Sequence, residues 1–532
     1  MHHLLPVYAE LMFIWSDAVA PELRHALHAA HVATAHRDHP RACAHLETAL
    51  QLFVQDPASP IRELDLILEL ARSRFRAGNI ASSWAAGNTV ADIARESGDG
   101  LAMADAAVVL HGIMAPDVQA QVHALCIEAL ALVGNKDPLR HNRLRSQLAA
   151  TSSIWVGESY FDLSPDSAVP FLSPEDPEGA FLALLAAHAQ YLGCAHVRDR
   201  LELADAAVAL GRQEGNDEYH AWGLLWRIEA LLQLGQLVEV SAEFLVLTSV
   251  AERLREVLWS CRIELLHGVL LHLEGKYDEA LVHTERAREI SQNSGDEAVA
   301  FVHLVMSISI AIVTGEGLAL AEEAVRHRLD GLPYSAKGWL VAVLAASGKN
   351  EEAKALWKAV APHIHEFPRR APEWIIANAT NAQMCVQFRD HATAEILYLE
   401  LLPFEGLLAS ADAQTPSSAP VAHYLGLLAR LLGKTAAAEQ HFHNALQLAE
   451  SINAAPFAAL ARQELARPGT GERSLSNREA EITAFVATGQ TNRSIAQALF
   501  LSERTVEHHV SNILRKLELP SRSAIAAWQA SQ

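Results

Sequence analysis

Apolar residues along this chain recur at intervals of three and four, the spacing of one helix face, and runs of alternating β-branched residues are missing. The pattern predicts an all-α protein. Glycines punctuate it between paired helical segments, at Gly193, Gly235, Gly275, Gly315, Gly348 and Gly433. The first four intervals are 42, 40, 40 and 33 residues, and the last, 85 residues, leaves room for one more turn near Phe388–Asp390. A period near 40 implies a helical solenoid, in which each hairpin buries its apolar face on the next.

Two stretches superpose directly. Gly268, Gly275, Ala280 and Ala287 share offsets of 7, 12 and 19 with Gly426, Gly433, Ala438 and Ala445. Gly and Ala let the two helices of a hairpin approach closely, while larger neighbours such as Tyr277 and Phe442 fill the groove between hairpins. These units resemble tetratricopeptide repeats. Leu66–Gly98, turning at Gly78–Asn79, has the same character, so an N-terminal helical-repeat block is expected over 1–150. Pro165, Pro170, Pro174 and Pro177 mark 151–178 as a linker or inserted loop, and the solenoid proper then runs over 179–466. Ser410–Pro420 reads as a loop within it, and 467–474 as a linker into a last unit, 475–532.

Composition narrows the possibilities. Half of the residues are hydrophobic and a fifth are charged, as in an ordinary globular chain, but the net charge is −21. Such a chain does not coat nucleic acid or anionic membrane along its length, so any DNA contact has to be local. The apolar runs Phe181–Ala187 and Phe301–Val313 fall short of the roughly 18 residues that span a bilayer. The start of the chain lacks a positively charged signal segment, and five scattered cysteines suggest neither disulfides nor a cysteine metal site. A cytoplasmic protein without a membrane segment is expected.

From Leu475 the pattern changes. Ser476 and Glu479 form a capping box for a helix that Gly489 ends; Thr491 can cap a short helix to about Leu499, Ser502 a third helix to Leu517, and Ser521 begins a fourth. In the third, Val506, Val510, Ile513, Leu514 and Leu517 share one face, while Arg504, His508, Ser511 and Arg515 share another. A short helix, a tight connection and a longer helix with a free polar face make a helix-turn-helix.

The run from Gly489 to Leu517, GQTNRSIAQALFLSERTVEHHVSNILRKL, with LSNRE before it and SRSA after it, resembles the LuxR/FixJ-type DNA-binding domain. The resemblance implies a four-helix domain whose third helix enters the major groove of double-stranded DNA and whose last helix, carrying Trp528, pairs two copies. It implies base contacts from Glu507, His508 and Ser511, and backbone contacts from Asn492, Arg493, Thr505, Arg515 and Lys516, with Arg504 and Asn512 completing the DNA-binding set. Glu507 departs from the basic or neutral residue of many relatives; an acid there can accept from cytosine N4, so base preference does not carry over. Seven basic and six acidic residues from Glu472 onward give this unit +1 and leave −22 on the rest. One such head should bind DNA weakly, so a homodimer or higher homo-oligomer is expected.

Repeats followed by this head also resemble the C-terminal half of large ATP-binding LuxR-type regulators. Their G-x-x-x-x-G-K-[ST] phosphate loop is absent: Gly433-Lys434-Thr435 has Leu428 where the first glycine belongs, and reads as a repeat turn. The resemblance leaves two alternatives open, a shortened relative of that family or a gene that begins further upstream with a nucleotide-binding domain. His25, His28, His31, His36, His39 and His45 read as histidines on a repeat surface, without the partners of a metal site. No nucleophile–base set stands out, so neither an enzyme nor a cofactor is expected. The sequence thus points to a sequence-specific DNA-binding transcriptional regulator whose repeats sense an effector or partner. The alternative is a helical-repeat interaction scaffold that uses DNA only as a tether.

Overall fold

The computed structural model describes residues 19–530, except 56–60, 113–115, 135, 152–174, 293–296, 468–474, 476 and 518. Most of the 151–178 stretch and Ser476 of the capping box therefore lie outside the described residues. Among those described, the only β-type pairing is one isolated bridge, Leu408 with Pro420. Everything regular is helical, and the architecture is a tetratricopeptide-like solenoid followed by a four-helix unit.

The first helices are α1 (Pro21–Ala35), α2 (His39–Gln55), α3 (Glu63–Arg76), α4 (Ile80–Ser97), α5 (Gly100–Ala107), α6 (Pro116–Val133) and α7 (Pro138–Ala150). After the gap come α8 (Pro177–Gln190), α9 (Val197–Glu214), α10 (Asp217–Gln233), α11 (Leu237–Leu254), α12 (Val257–Glu274) and α13 (Tyr277–Ser291). The solenoid continues with α14 (Glu297–Thr314), α15 (Leu318–Arg328), α16 (Gly338–Ala346), α17 (Asn350–Val360), α18 (Trp374–Phe388) and α19 (His391–Leu401). It ends with α20 (Val421–Leu431), α21 (Thr435–Ser451) and α22 (Ala455–Ala466).

Helices within a hairpin differ in burial. α10 and α12 are enclosed on nearly every side, whereas α13 buries only the small-residue face of Ala280, Thr284, Ala287 and Ser291. The small residues act as expected: a side chain at Gly268 would meet Thr284, and one at Gly426 would meet the buried Phe442 ring 2.6 Å away. Tyr277 is only half-buried, beside the His272 ring. Gly78, Gly235, Gly275, Gly315, Gly348 and Gly433 turn in the left-handed region, as does Arg389 at the expected turn between α18 and α19. Gly193 is different. Its φ is −64°, and what excludes a side chain there is the carbonyl oxygen of Arg369, 2.8 Å from where a Cβ would sit.

That contact belongs to a series. Arg37 pairs with Asp217 at 2.9 Å, Gly78 faces Val257, Gln233 Nε2 donates to the Ser410 carbonyl at 2.9 Å, and Gly275 faces Pro456. Each joins residues about 180 apart, or four to five hairpins. Successive coils of the superhelix therefore rest on one another, and one cluster of buried apolar residues runs from Leu64 to Ala458.

Ser410–Pro420 is irregular, as expected, but it is a buried strap and not a surface loop. Loops stay outside when their backbone groups lack partners. Here the Asp412 carboxylate accepts from the backbone N–H groups of Gln414 and Thr415, and Leu408 N donates to the Gln233 carbonyl at 2.8 Å. The fully buried Arg200 completes the anchor by donating to Glu229 and to the side chain of Gln233.

Candidate nucleic-acid interface

The last four helices are α23 (Asn477–Ala487), α24 (Asn492–Ala498), α25 (Glu503–Lys516) and α26 (Arg522–Ala530). Their starts follow the sequence. Thr491 Oγ accepts from Ser494 N at 3.2 Å, and Ser502 Oγ accepts from Thr505 N at 3.1 Å, each satisfying a backbone donor that the helix leaves open. Ile482, Val486, Ile495, Ala496, Val506, Val510, Ile513 and Ile525 form a core separate from that of the solenoid.

Burial of Val506, Val510 and Ile513 fixes the rotation of α25 and decides what stays outside. Arg504, Glu507, His508 and Ser511 are exposed together; Thr505 and Asn512 are half-buried, with the Thr505 hydroxyl 2.6 Å from Ser502 Oγ. On α24, Arg493 is exposed and Asn492 half-buried. Arg515 and Lys516 occupy the last turn of α25, but their side chains lie outside the described residues. Trp528 is half-buried on α26.

Two arginines have a role that the sequence did not disclose. Arg522 of α26 donates to Asn492 Oδ1 at 2.6 Å and to the Gln490 carbonyl at 2.5 Å, while Arg478 of α23 donates to the Leu499 carbonyl at 2.7 Å. They hold the seven-residue α24 at both ends. Arg478 and Arg522 are thereby occupied inside the unit, and the Asn492 side chain has its oxygen engaged. Phe500, in the connection between α24 and α25, has a φ of 54° and is 96% exposed. Neither feature carries a signal in a single sequence, because a charge pattern does not say whether an arginine faces solvent or a carbonyl.

The other candidates resolve differently. Gly433-Lys434-Thr435 follows a helix, turns between α20 and α21, and places Lys434 Nζ 4.3 Å above the Tyr398 ring. Of the N-terminal histidines, His25 and His28 are exposed whereas His39 is buried, where loss of solvation and nearby Arg76 push its pKa down to about 4. Among the described residues no group of three or more metal-ligating side chains comes together, and no helix is long and apolar enough to cross a membrane.

A short helix, a tight turn and a second helix with one buried and one polar face define a helix-turn-helix unit of the DNA-binding class. Comparison with known proteins makes this specific. Residues 473–529 match the family model described as bacterial regulatory proteins, luxR family, so the C-terminal unit is a LuxR-type helix-turn-helix domain. An uncharacterized transcriptional regulatory protein of Bacillus subtilis, YhcZ, is 48% identical over 54 residues, 10% of this chain and 25% of that protein. The transcriptional regulatory protein LiaR of Bacillus subtilis is 42% identical over 55 residues, 10% of this chain and 26% of that one. A putative HTH-type transcriptional regulator of Mycobacterium tuberculosis is 26% identical over 264 residues, 47% of this chain and 28% of that one. The chain thus spans about a quarter of the length of these curated relatives. A crystal structure of the APC/C hetero-tetramer Cut9-Hcn1 aligns over 97% of both chains, at a TM-score of 0.37 and 14% identity.

Proposed function

We propose that this chain is a sequence-specific, DNA-binding transcriptional regulator that acts in the cytoplasm as a homodimer or higher homo-oligomer. Glu507, His508 and Ser511 read base edges in the major groove. Asn492, Arg493, Arg504, Thr505, Asn512, Arg515 and Lys516 hold the backbone, and α26 with Trp528 pairs two heads. The solenoid over 179–466 receives an effector or protein partner and changes how the heads are presented. The observation that carries this reading is the joint exposure of Arg504, Glu507, His508 and Ser511 opposite a buried face, within a LuxR-type domain. The names of the relatives support it.

The test is selection from random duplex DNA with the full chain at about 150 mM salt. A two-fold-symmetric site should be enriched. His508→Ala should then cost about 1–3 kcal/mol of preference for that site over scrambled DNA, while Arg493→Ala weakens both alike. Failure to enrich any site would replace this reading with the interaction scaffold.

A further inference from the structure

The short interval between Gly315 and Gly348 is where the solenoid opens. α15 and α16 have 11 and 9 residues, against 17 and 18 for α10 and α11. Because α15 stops at Arg328, the connection through Tyr334 departs early and a cleft of about 710 Å³ remains beside α17. Its floor includes Leu340 and Leu344 of α16, both buried. Its wall is one face of α17, where Ala355 and Ala359 keep the space wide. Five of its twelve lining residues, Arg326, His327, Asp330, Lys337 and Glu352, are ionisable, so the cleft offers a small organic molecule an apolar floor beneath a charged rim.

The charges around it are balanced but not matched. Arg326 is consumed, donating to Glu352 and, at 3.0 Å, to Glu322. That leaves Asp330, exposed just past the end of α15, and Lys337, half-buried just before α16, lining the same cleft beside His327, and among the described residues neither Asp330 nor Lys337 has an ion-pair partner. The Lys337 ammonium instead rests 5.3 Å from the centre of the exposed Tyr334 ring, a contact that a carboxylate outbids. An unmatched carboxylate and an unmatched ammonium above an apolar floor are complementary to a ligand carrying the reverse pair and an apolar body.

We infer that this cleft binds an α-amino acid with a large apolar side chain, its ammonium on Asp330, its carboxylate on Lys337 and its side chain over Leu340 and Leu344. The binding stands on the cleft itself; its meaning as a signal rests on the proposed sensing role of the solenoid. Calorimetric titration of the full chain near neutral pH with L-leucine, L-phenylalanine, N-acetyl-L-leucine and L-leucinamide tests it. Leucine or phenylalanine should saturate one site. The acetylated and amidated forms, each lacking one charge, should bind about tenfold or more weakly. Asp330→Asn should weaken leucine by a similar factor and leave N-acetyl-leucine unchanged, while Lys337→Gln should weaken leucine and leave leucinamide unchanged. No saturable binding of either amino acid, equal binding of N-acetyl-leucine, or indifference to both substitutions overturns the inference. DNA selection on the same preparations separates the two readings: leucine binding without an enriched site defeats only the regulator, and an enriched site without leucine binding defeats only this cleft.

Discussion

Phe500 shows what a single residue concedes to its position. A left-handed conformation costs an L-residue about 1–2 kcal/mol, and glycine avoids this at about 0.5–1 kcal/mol of chain entropy. Because the ring is almost fully exposed, it returns little packing. Phe500→Gly should therefore stabilise the C-terminal domain by about 0.5–1 kcal/mol, measured as slower hydrogen exchange in α24 and α25. Buried histidines concede something else. His39, His272 and His423 are each pushed down to about 4, chiefly by burial. They stay neutral in the fold but take up a proton near pH 6.5 when unfolded, so their stabilisation is complete above that pH and is lost as pH falls towards 4. Glu229, raised by burial to about 7 against the opposing pull of Arg200, acts in the other direction, costing stability as pH rises from about 4.5. Among the described residues, neither ring nitrogen of His272 has a hydrogen-bond partner. His272→Leu should gain about 2 kcal/mol at pH 5 relative to pH 7.5, read from urea unfolding at both pH values. An equal change at both would assign the effect to packing.

At the level of elements, the informative case is α24. Seven residues make too short a helix to hold itself in water, so its order comes from neighbours. Arg522 supplies part of it, and Arg522→Ala would leave Asn492 Oδ1 and the Gln490 carbonyl without that donor. We expect a loss of about 1–3 kcal/mol in the stability of the C-terminal domain, with Arg522→Lys restoring only part because one ammonium cannot reproduce the planar fork. Hydrogen exchange at the N-terminus of α24 reads both variants. The strap over Ser410–Pro420 makes a related point. Its composition reads as a loop, yet Asp412, Gln233 and the Leu408–Pro420 bridge satisfy its backbone and let it lie buried.

Across the whole molecule, the contacts between residues about 180 apart distinguish local turns from stacking of coils. Gly193→Ala drives a methyl into the Arg369 carbonyl, whereas Gly315→Ala meets open space and suffers only from a φ of +80°. The first should cost about 1–3 kcal/mol and the second about 1 kcal/mol. The decisive readout is where exchange accelerates. Gly193→Ala should loosen the segments around 193 and 369 together, and Gly315→Ala only its own hairpin.

Much of this was legible in the order of residues. The three-and-four spacing fixed helices, the glycine interval fixed hairpins, Thr491 and Ser502 fixed two helix starts, and the polar stripe on α25 marked the face that stays free. These are local properties, set by side-chain size, backbone freedom and hydrogen bonds within a few residues. The rest depends on neighbours distant in sequence. That Gly193 answers to Arg369 and that a Ser/Ala/Pro segment is buried were decided where successive coils stack, that Arg478 and Arg522 bond to backbone carbonyls was decided by packing within the C-terminal unit, and that Asp330 and Lys337 share a cleft over an apolar floor was decided by where α15 ends and α16 begins. Which groups a side chain meets across 30 or 180 residues is a matter of packing, and no local pattern encodes it.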